Sequence, residues 1–255
     1  MKTLSLILAV LLLSLSLGNT WGAVDLNGDA DGIEIDTAVV TTTPITMACW
    51  FKDDINTAEH LLVGLSDEAT TTYYVIMEAA GHVAGDPIIG GVKQGGSLAY
   101  AQTTTGFTAG KWHHACFVQS ATDARAVYID GGSKGTSTAI RELANLDNTT
   151  IGILHYTSYI IPIDGSITEV AIWNVALTDA EVALLASARI KGLPLQIRPA
   201  NLVLYLPMDE NPLIKGINNM QFDDYSGKGN DGTGIDVDGD SLTIGENILS
   251  YPDYH

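Results

Sequence analysis

From Ile33 to Ile172 the apolar residues recur in short β-prone segments set apart by Gly, Asp, Asn and Thr, and no stripe at helical spacing runs through them. That pattern predicts an all-β fold, an antiparallel β-sandwich of the jelly-roll kind with one short C-terminal helix. Strands are expected at residues 32–35, 45–52, 60–65, 73–78, 87–93, 98–102, 111–120, 125–129, 149–153 and 165–173. Within 111–120, alternation puts Trp112, His114, Cys116 and Val118 on one face and His113, Ala115, Phe117 and Gln119 on the other, so both faces are buried. Asp130-Gly131-Gly132 marks a hairpin turn. The helix begins at Thr178-Asp179-Ala180-Glu181, where a Thr cap and a Glu three residues on satisfy the first free amides reciprocally. It runs to about Arg189, and Gly192 with Pro194 stops it. Residues 202–206 return to strand, and the Thr triplets at 41–43, 70–72 and 103–105 read as loops.

The N-terminus changes the compartment. Lys2 precedes an apolar run from Leu4 to Leu13, too short for a comfortable membrane span, and Thr20 and Gly22 supply small residues before a cleavage point. Residues 1–22 are therefore expected to be a signal peptide, with an uncleaved anchor as the competing reading. The mature chain is expected to be secreted, extracellular and free of the membrane. It divides into one domain at 23–210 and an acidic, turn-rich extension at 211–255 that packs on the sandwich or on a neighbour.

Charge narrows the partners. Thirty acidic against 12 basic residues give a net charge of −18, a field that repels nucleic acid and attracts cations. Calcium is the expected cofactor, although the same acidity would simply solvate an extracellular surface. Asp29 and Asp31, ahead of the first strand, and Asp236, Asp238 and Asp240 offer hard oxygen ligands at alternate positions. Two cysteines, Cys49 and Cys116, in an oxidising compartment are expected to form a disulfide. Asn148-Thr149-Thr150 is a glycosylation sequon, which would mark a surface position at Asn148.

Four phrases, in order, resemble the laminin G-like, concanavalin A-like jelly rolls. They are residues 25–35 (DLNGDADGIEI), 45–52 (ITMACWFK), 111–117 (KWHHACF) with 126–131 (AVYIDG), and 165–181 (GSITEVAIWNVALTDAE). Pentraxins, which share this fold, similarly join a cysteine of the second phrase to one of the third, and the resemblance extends that pairing to Cys49 and Cys116. It does not carry over the pentraxin double-calcium site, because residues 154–164 hold one carboxylate, Asp164. That stretch is Tyr-rich instead, and Tyr156 and Tyr159 are expected to stack on a sugar or on a neighbour. Thr168 also stands where the family usually has Asp. Residues 202–210 with 224–232 resemble a phrase that opens a domain in many relatives but here comes last. It is expected to fold back as an edge strand of its own sandwich, with completion of a neighbouring subunit as the alternative.

Catalytic residues are not expected. Glu34-Ile35-Asp36 begins the two-carboxylate strand pattern of related β-glucanases but continues Thr37-Ala38-Val39, with no second carboxylate. Metalloprotease, nucleophile-elbow and phosphate-loop motifs are missing. His113 and His114, adjacent on a strand, point to opposite faces and are read as structural, as are Trp50, Trp112 and Trp173. Tyr73, Tyr74 and Tyr100 join Tyr156 and Tyr159 as stacking candidates. Two functions follow. The first is a calcium-stabilised module that binds an extracellular glycan or protein surface; the second is a self-assembling, homo-oligomeric structural subunit with an edge strand free to pair in trans. A polysaccharide-cleaving enzyme of the same fold comes third.

Overall fold

The computed structural model describes residues 22–187, 192–208 and 220–236. The expected signal peptide, except Gly22, and residues 188–191, 209–219 and 237–255, with Asp238 and Asp240, lie outside them. In chain order the strands are β1 (Val24–Asn27), β2 (Asp31–Ile35), β3 (Ile45–Asp53), β4 (Glu59–Ser66), β5 (Tyr74–Ala80), β6 (Pro87–Gln94), β7 (Ser97–Gly106), β8 (Trp112–Ala121) and β9 (Ala124–Ile129). Then come β10 (Gly132–Ser137), β11 (Asn148–Ile151), β12 (Leu154–Tyr156), β13 (Ser158–Ile160), β14 (Asp164–Trp173), helix α1 (Asp179–Ser187), β15 (Leu202–Leu206), β16 (Gln221–Phe222) and β17 (Gly232–Asp236).

Two antiparallel sheets form a sandwich. The smaller runs β1-β14-β3-β8-β9-β10 with β15 also on β14, and the larger runs β16-β17-β2-β11-β4-β5-β6-β7. Their inner faces meet in one core, which includes Ile33, Met47, Phe51, Val63, Met77, Phe117, Val127 and Ile172. Each such side chain contributes about 1.5–3 kcal/mol by leaving water. A second apolar layer covers the outer face of the smaller sheet, where Val182 and Leu185 of α1 pack on Cys116, Ala171, Trp173 and Tyr205. The expected capping box forms: Thr178 N–H donates to Glu181 Oε2 at 2.8 Å, and Glu181 N–H to Thr178 Oγ1 at 3.3 Å.

β14 shows how distant parts of the chain close the sheet. Its outer edge is shared end to end, by β1 over Asp164 to Ile167 and by β15 over Val170 to Trp173. The join is the irregular Thr168-Glu169 step, where Glu169 has φ of 52°. Thr168 Oγ1 lies 2.8 Å from the Gly22 carbonyl and 3.0 Å from that of Pro207, so one hydroxyl ties the start of β1 to the end of β15. Glu169 accepts from Tyr205 Oη at 2.8 Å and Gly192 N–H at 3.1 Å. The C-terminal phrase thus pairs within the chain. Its far edge is also occupied, since Asp224 Oδ1 accepts from Tyr205 N–H and Tyr225 N–H donates to the Tyr205 carbonyl.

The expected disulfide is corrected by the register. β3 and β8 pair Cys49 with Ala115 and Ala48 with Cys116, one residue out of phase. The pleat therefore sends Cys49 into the inter-sheet core and Cys116 to the layer beneath α1. Both are free, fully buried thiols, and burial pushes both well above the ordinary cysteine range. A bridge needs Cβ atoms about 3.5–4.5 Å apart that face one another, which opposite faces do not allow. Thr103, Thr104 and Thr105, expected in a loop, belong to β7.

Candidate functional site

The outer face of the larger sheet carries the polar and aromatic side chains that the core does not use. On β2, Ile33 and Ile35 point inward, so Glu34 points out. The same alternation presents Asn148 and Thr150 of β11, Ser66 of β4, Tyr74, Ile76 and Glu78 of β5, Gly91 and Lys93 of β6, and Leu98 and Tyr100 of β7. The β12–β13 hairpin lies across this face and divides it.

On one side of the hairpin is a polar cluster. His155 Nδ1 lies 2.5 Å from Glu34 Oε1 and 3.8 Å from Glu68 Oε1, and Tyr159 Oη donates to Glu34 Oε2 at 2.9 Å. The Tyr159 and His155 rings stack at 4.1 Å, as their cross-strand pairing requires. Burial first, then the bond to Glu34, pushes the Tyr159 phenol well above its usual range. Asn148 Nδ2 donates to Glu34 Oε1 at 3.2 Å while its Oδ1 accepts from Ser66 Oγ at 2.7 Å. Asn148 is wholly buried, so the glycosylation expected there is corrected: the amide nitrogen a glycan would need is inside the sheet face. The sequon's periodicity was that of a strand, and nothing in three residues of sequence reports what lies above it.

On the other side of the hairpin is an aromatic trough. Tyr156 stacks on Tyr74 with centroids 6.3 Å apart and planes 11° from parallel, over Leu61, Ile76 and Leu154. Cross-strand register then continues Tyr74 to Lys93 to Leu98, and Ile76 to Gly91 to Tyr100. Gly91 forms the floor, because a Cβ there would meet Tyr100 Cβ at 3.0 Å and Leu98 Cδ1 at 3.1 Å. Tyr100 is 48% and Leu98 38% exposed, and Lys93 Nζ sits 4.9 Å from the Tyr74 ring centroid. Of the two residues singled out in sequence, Tyr156 faces the trough and Tyr159 serves the polar cluster. Tyr74 and Tyr100 stand on β5 and β7, within the strands expected there.

A carboxyl pair on the same face, Glu59 of β4 and Glu78 of β5, forms no local sequence motif because its members sit on neighbouring strands. Burial, then the charge and hydrogen bond of Glu59, push the Glu78 carboxyl well above the carboxylate range. Burial and Glu78 together raise the Tyr74 phenol to about 12. The folded state therefore keeps a proton on Glu78 that the unfolded chain releases near pH 4.3. Stability is full below that pH and declines as pH rises toward the folded value. Glu78→Gln is expected to raise the melting temperature at pH 8 by an amount equivalent to about 1–3 kcal/mol, with a far smaller gain at pH 4.5. A gain equal at both pH values would contradict a retained proton.

Of the residues expected to hold calcium, two meet in the backbone pairing of β2 with β17. Asp31, fully buried, is the cross-strand partner of Asp236 in the β2–β17 pair, while Asp29 is exposed on the preceding turn. The Asp236 side chain, Asp238 and Asp240 lie outside the described residues. His113 and His114 point to opposite faces. His113 Nδ1 bonds Asp130 Oδ2 at 2.8 Å, and His114 is buried against Trp50 with its pKa lowered to about 4 by desolvation.

Similarity to known proteins agrees with this architecture. Among curated protein sequences none is significantly similar to the chain. Solved structures with the same fold include a heptameric SAP-like pentraxin from Limulus polyphemus, 16% identical over 68% of this chain and 84% of that one, with a TM-score of 0.55. Domain 4 of AbnA, an extracellular arabinanase of Geobacillus stearothermophilus, solved with arabinotriose, is 23% identical over 65% of this chain and 76% of its own, at 0.55. The CBM40 of the Ruminococcus gnavus IT-sialidase, bound to α2,3-sialyllactose, is 10% identical over 65% and 97%, at 0.52. The sequence profile of one family matches residues 27–183, more than half of the chain and nearly all of the sandwich before α1 ends, and by that match this protein belongs to the concanavalin A-like lectin/glucanases superfamily.

Proposed function

We propose that this protein is a secreted, non-catalytic module that binds extracellular glycan on the trough between the β12–β13 hairpin and β7. The exposed Tyr100, on a glycine floor between Leu98 and the stacked Tyr74 and Tyr156, carries the reading. Sugar rings present an apolar C–H face and a polar rim, and a half-exposed tyrosine offers the matching ring and hydroxyl. Carbohydrate-bound structures among proteins of this fold support it. Calcium belongs to the proposal as a structural ion at β2–β17, where buried Asp31 meets the second acidic segment. Its role there is to hold the sheet edge, with the trough remaining free.

A glycan array read with the mature protein tests this. At least one polysaccharide class should be retained, and Tyr100→Ala should weaken it about tenfold, the worth of one stacking contact. Chelation should lower the melting temperature without changing which glycan is bound. A blank array, or a profile and affinity that Tyr100→Ala leaves intact, would overturn the assignment.

A further inference from the structure

We infer that Glu34, Glu68 and His155 form a zinc-class metal site, separate from the glycan trough and from the calcium proposed at β2–β17. One ligand atom from each of the three residues lies within 4.8 Å of the other two. The residues come from β2, the β4–β5 loop and the β12–β13 hairpin, so no local motif announces them.

Each ligand is held in place by something other than its neighbours in the trio. Glu34 is oriented by the Tyr159 hydroxyl on Oε2 and the Asn148 amide at Oε1. His155 is fixed by its stack on Tyr159. Glu68 is anchored through its backbone N–H, which donates to Asp147 Oδ1 at 2.9 Å. Support of this kind is what orients metal ligands in built sites. A second observation points the same way. Thr150, the cross-strand partner of Glu34, is fully buried on this face, and its Oγ1 has no hydrogen-bond partner among the described residues.

The donor set selects the ion. Calcium and magnesium take all-oxygen shells, whereas imidazole with two carboxylates suits zinc and its first-row neighbours. Ligand bonds of about 2.0–2.2 Å to zinc place ligand atoms roughly 3.3 Å apart. The 2.5 Å and 3.8 Å contacts of His155 need shifts of less than about 1 Å to meet that spacing. Glu34 and His155 side chains are 19% and 21% exposed, desolvated enough to favour a cation between two carboxylates yet open to solvent. Three protein ligands leave a fourth position for water or an incoming donor.

Zinc titrated calorimetrically into chelator-treated, desalted mature protein should bind one equivalent. His155→Ala should weaken that binding at least about tenfold, and so should Glu68→Gln, a change on an exposed loop that leaves the fold untouched by circular dichroism. Cobalt(II) in the same site should give visible d–d absorption that both variants lose. Equal concentrations of calcium should not displace either ion. Absence of stoichiometric binding, binding that both variants leave unchanged, or displacement by calcium would each overturn the site. None of these readouts depends on glycan, so the trough and the metal site stand or fall separately.

Discussion

Asp224→Ala is expected to cost about 3 kcal/mol of stability, a large loss for a residue outside the core. Its carboxylate accepts four hydrogen bonds. Tyr205 N–H and Ser226 N–H reach Oδ1 at 2.9 Å each, and Ser226 Oγ and Asn230 N–H reach Oδ2 at 2.8 and 3.0 Å. The turn so organised then returns Asn230 Nδ2 to the Val203 carbonyl at 2.7 Å and Tyr225 N–H to that of Tyr205. Those bonds occupy the outer edge of β15, which in turn holds half of β14. Alanine would strand four donors at once. At about 2–4 °C per kcal/mol for a domain of this size, the melting temperature should fall by roughly 6–12 °C. Asp224→Asn, which keeps one acceptor oxygen, should fall between. A loss under about 1 kcal/mol would show that water replaces the carboxylate without penalty.

Gly135→Ala should be comparably damaging by the opposite route, overpacking. β10 and β7 are the edge strands of the two sheets, and they touch where the sandwich closes. A Cβ on Gly135 would stand 1.7 Å from the Gln102 carbonyl oxygen and 2.5 Å from its carbon. The obstacle is backbone, so no rotamer relieves it and one edge must move away. About 3 kcal/mol is expected, the upper end of the range for overpacked sites. Gly132→Ala on the same strand supplies the control, since a Cβ there meets nothing within 4 Å. Equal stability of the two variants under denaturant titration would show that the edges are not in contact.

The turn around Asp224 also explains why an edge strand free to pair in trans, which favoured an assembling subunit at the level of sequence, loses its basis at β15. The backbone groups that a neighbouring chain would use are taken by Asp224, Tyr225 and Asn230. The phrase resembling a domain opening is a capped edge here.

What was legible along the chain was whatever period-two alternation and local turn chemistry encode. β3, β8 and β14 fall within a residue of expectation because each buries both faces under long apolar runs. The capping box of α1 and the Asp130-Gly131 turn are equally local. β10, with the polar sequence GSKGTS, gave no such signal, since an edge strand leaning on another edge needs small residues rather than apolar ones. The three-residue strands β12 and β13 are too short for a period to register. Among the site residues, Tyr156 stood out by type, but its partner Tyr74, the exposure of Tyr100 and the glycine between them are products of pairing across β5, β6 and β7.

Sequence alone determined that this chain would stack two antiparallel sheets, because alternating burial is a property each strand carries by itself. Everything that depends on which strand lies beside which was decided in three dimensions. Cys49 and Cys116 looked like partners until a one-residue offset between β3 and β8 sent them to opposite faces. Asn148 looked like a surface site until β12 and β13 came down over it. Glu34, Glu68 and His155 looked unrelated until β2, the β4–β5 loop and the hairpin converged. Register is set by the sum of contacts along whole strands, and no short stretch of sequence holds that sum.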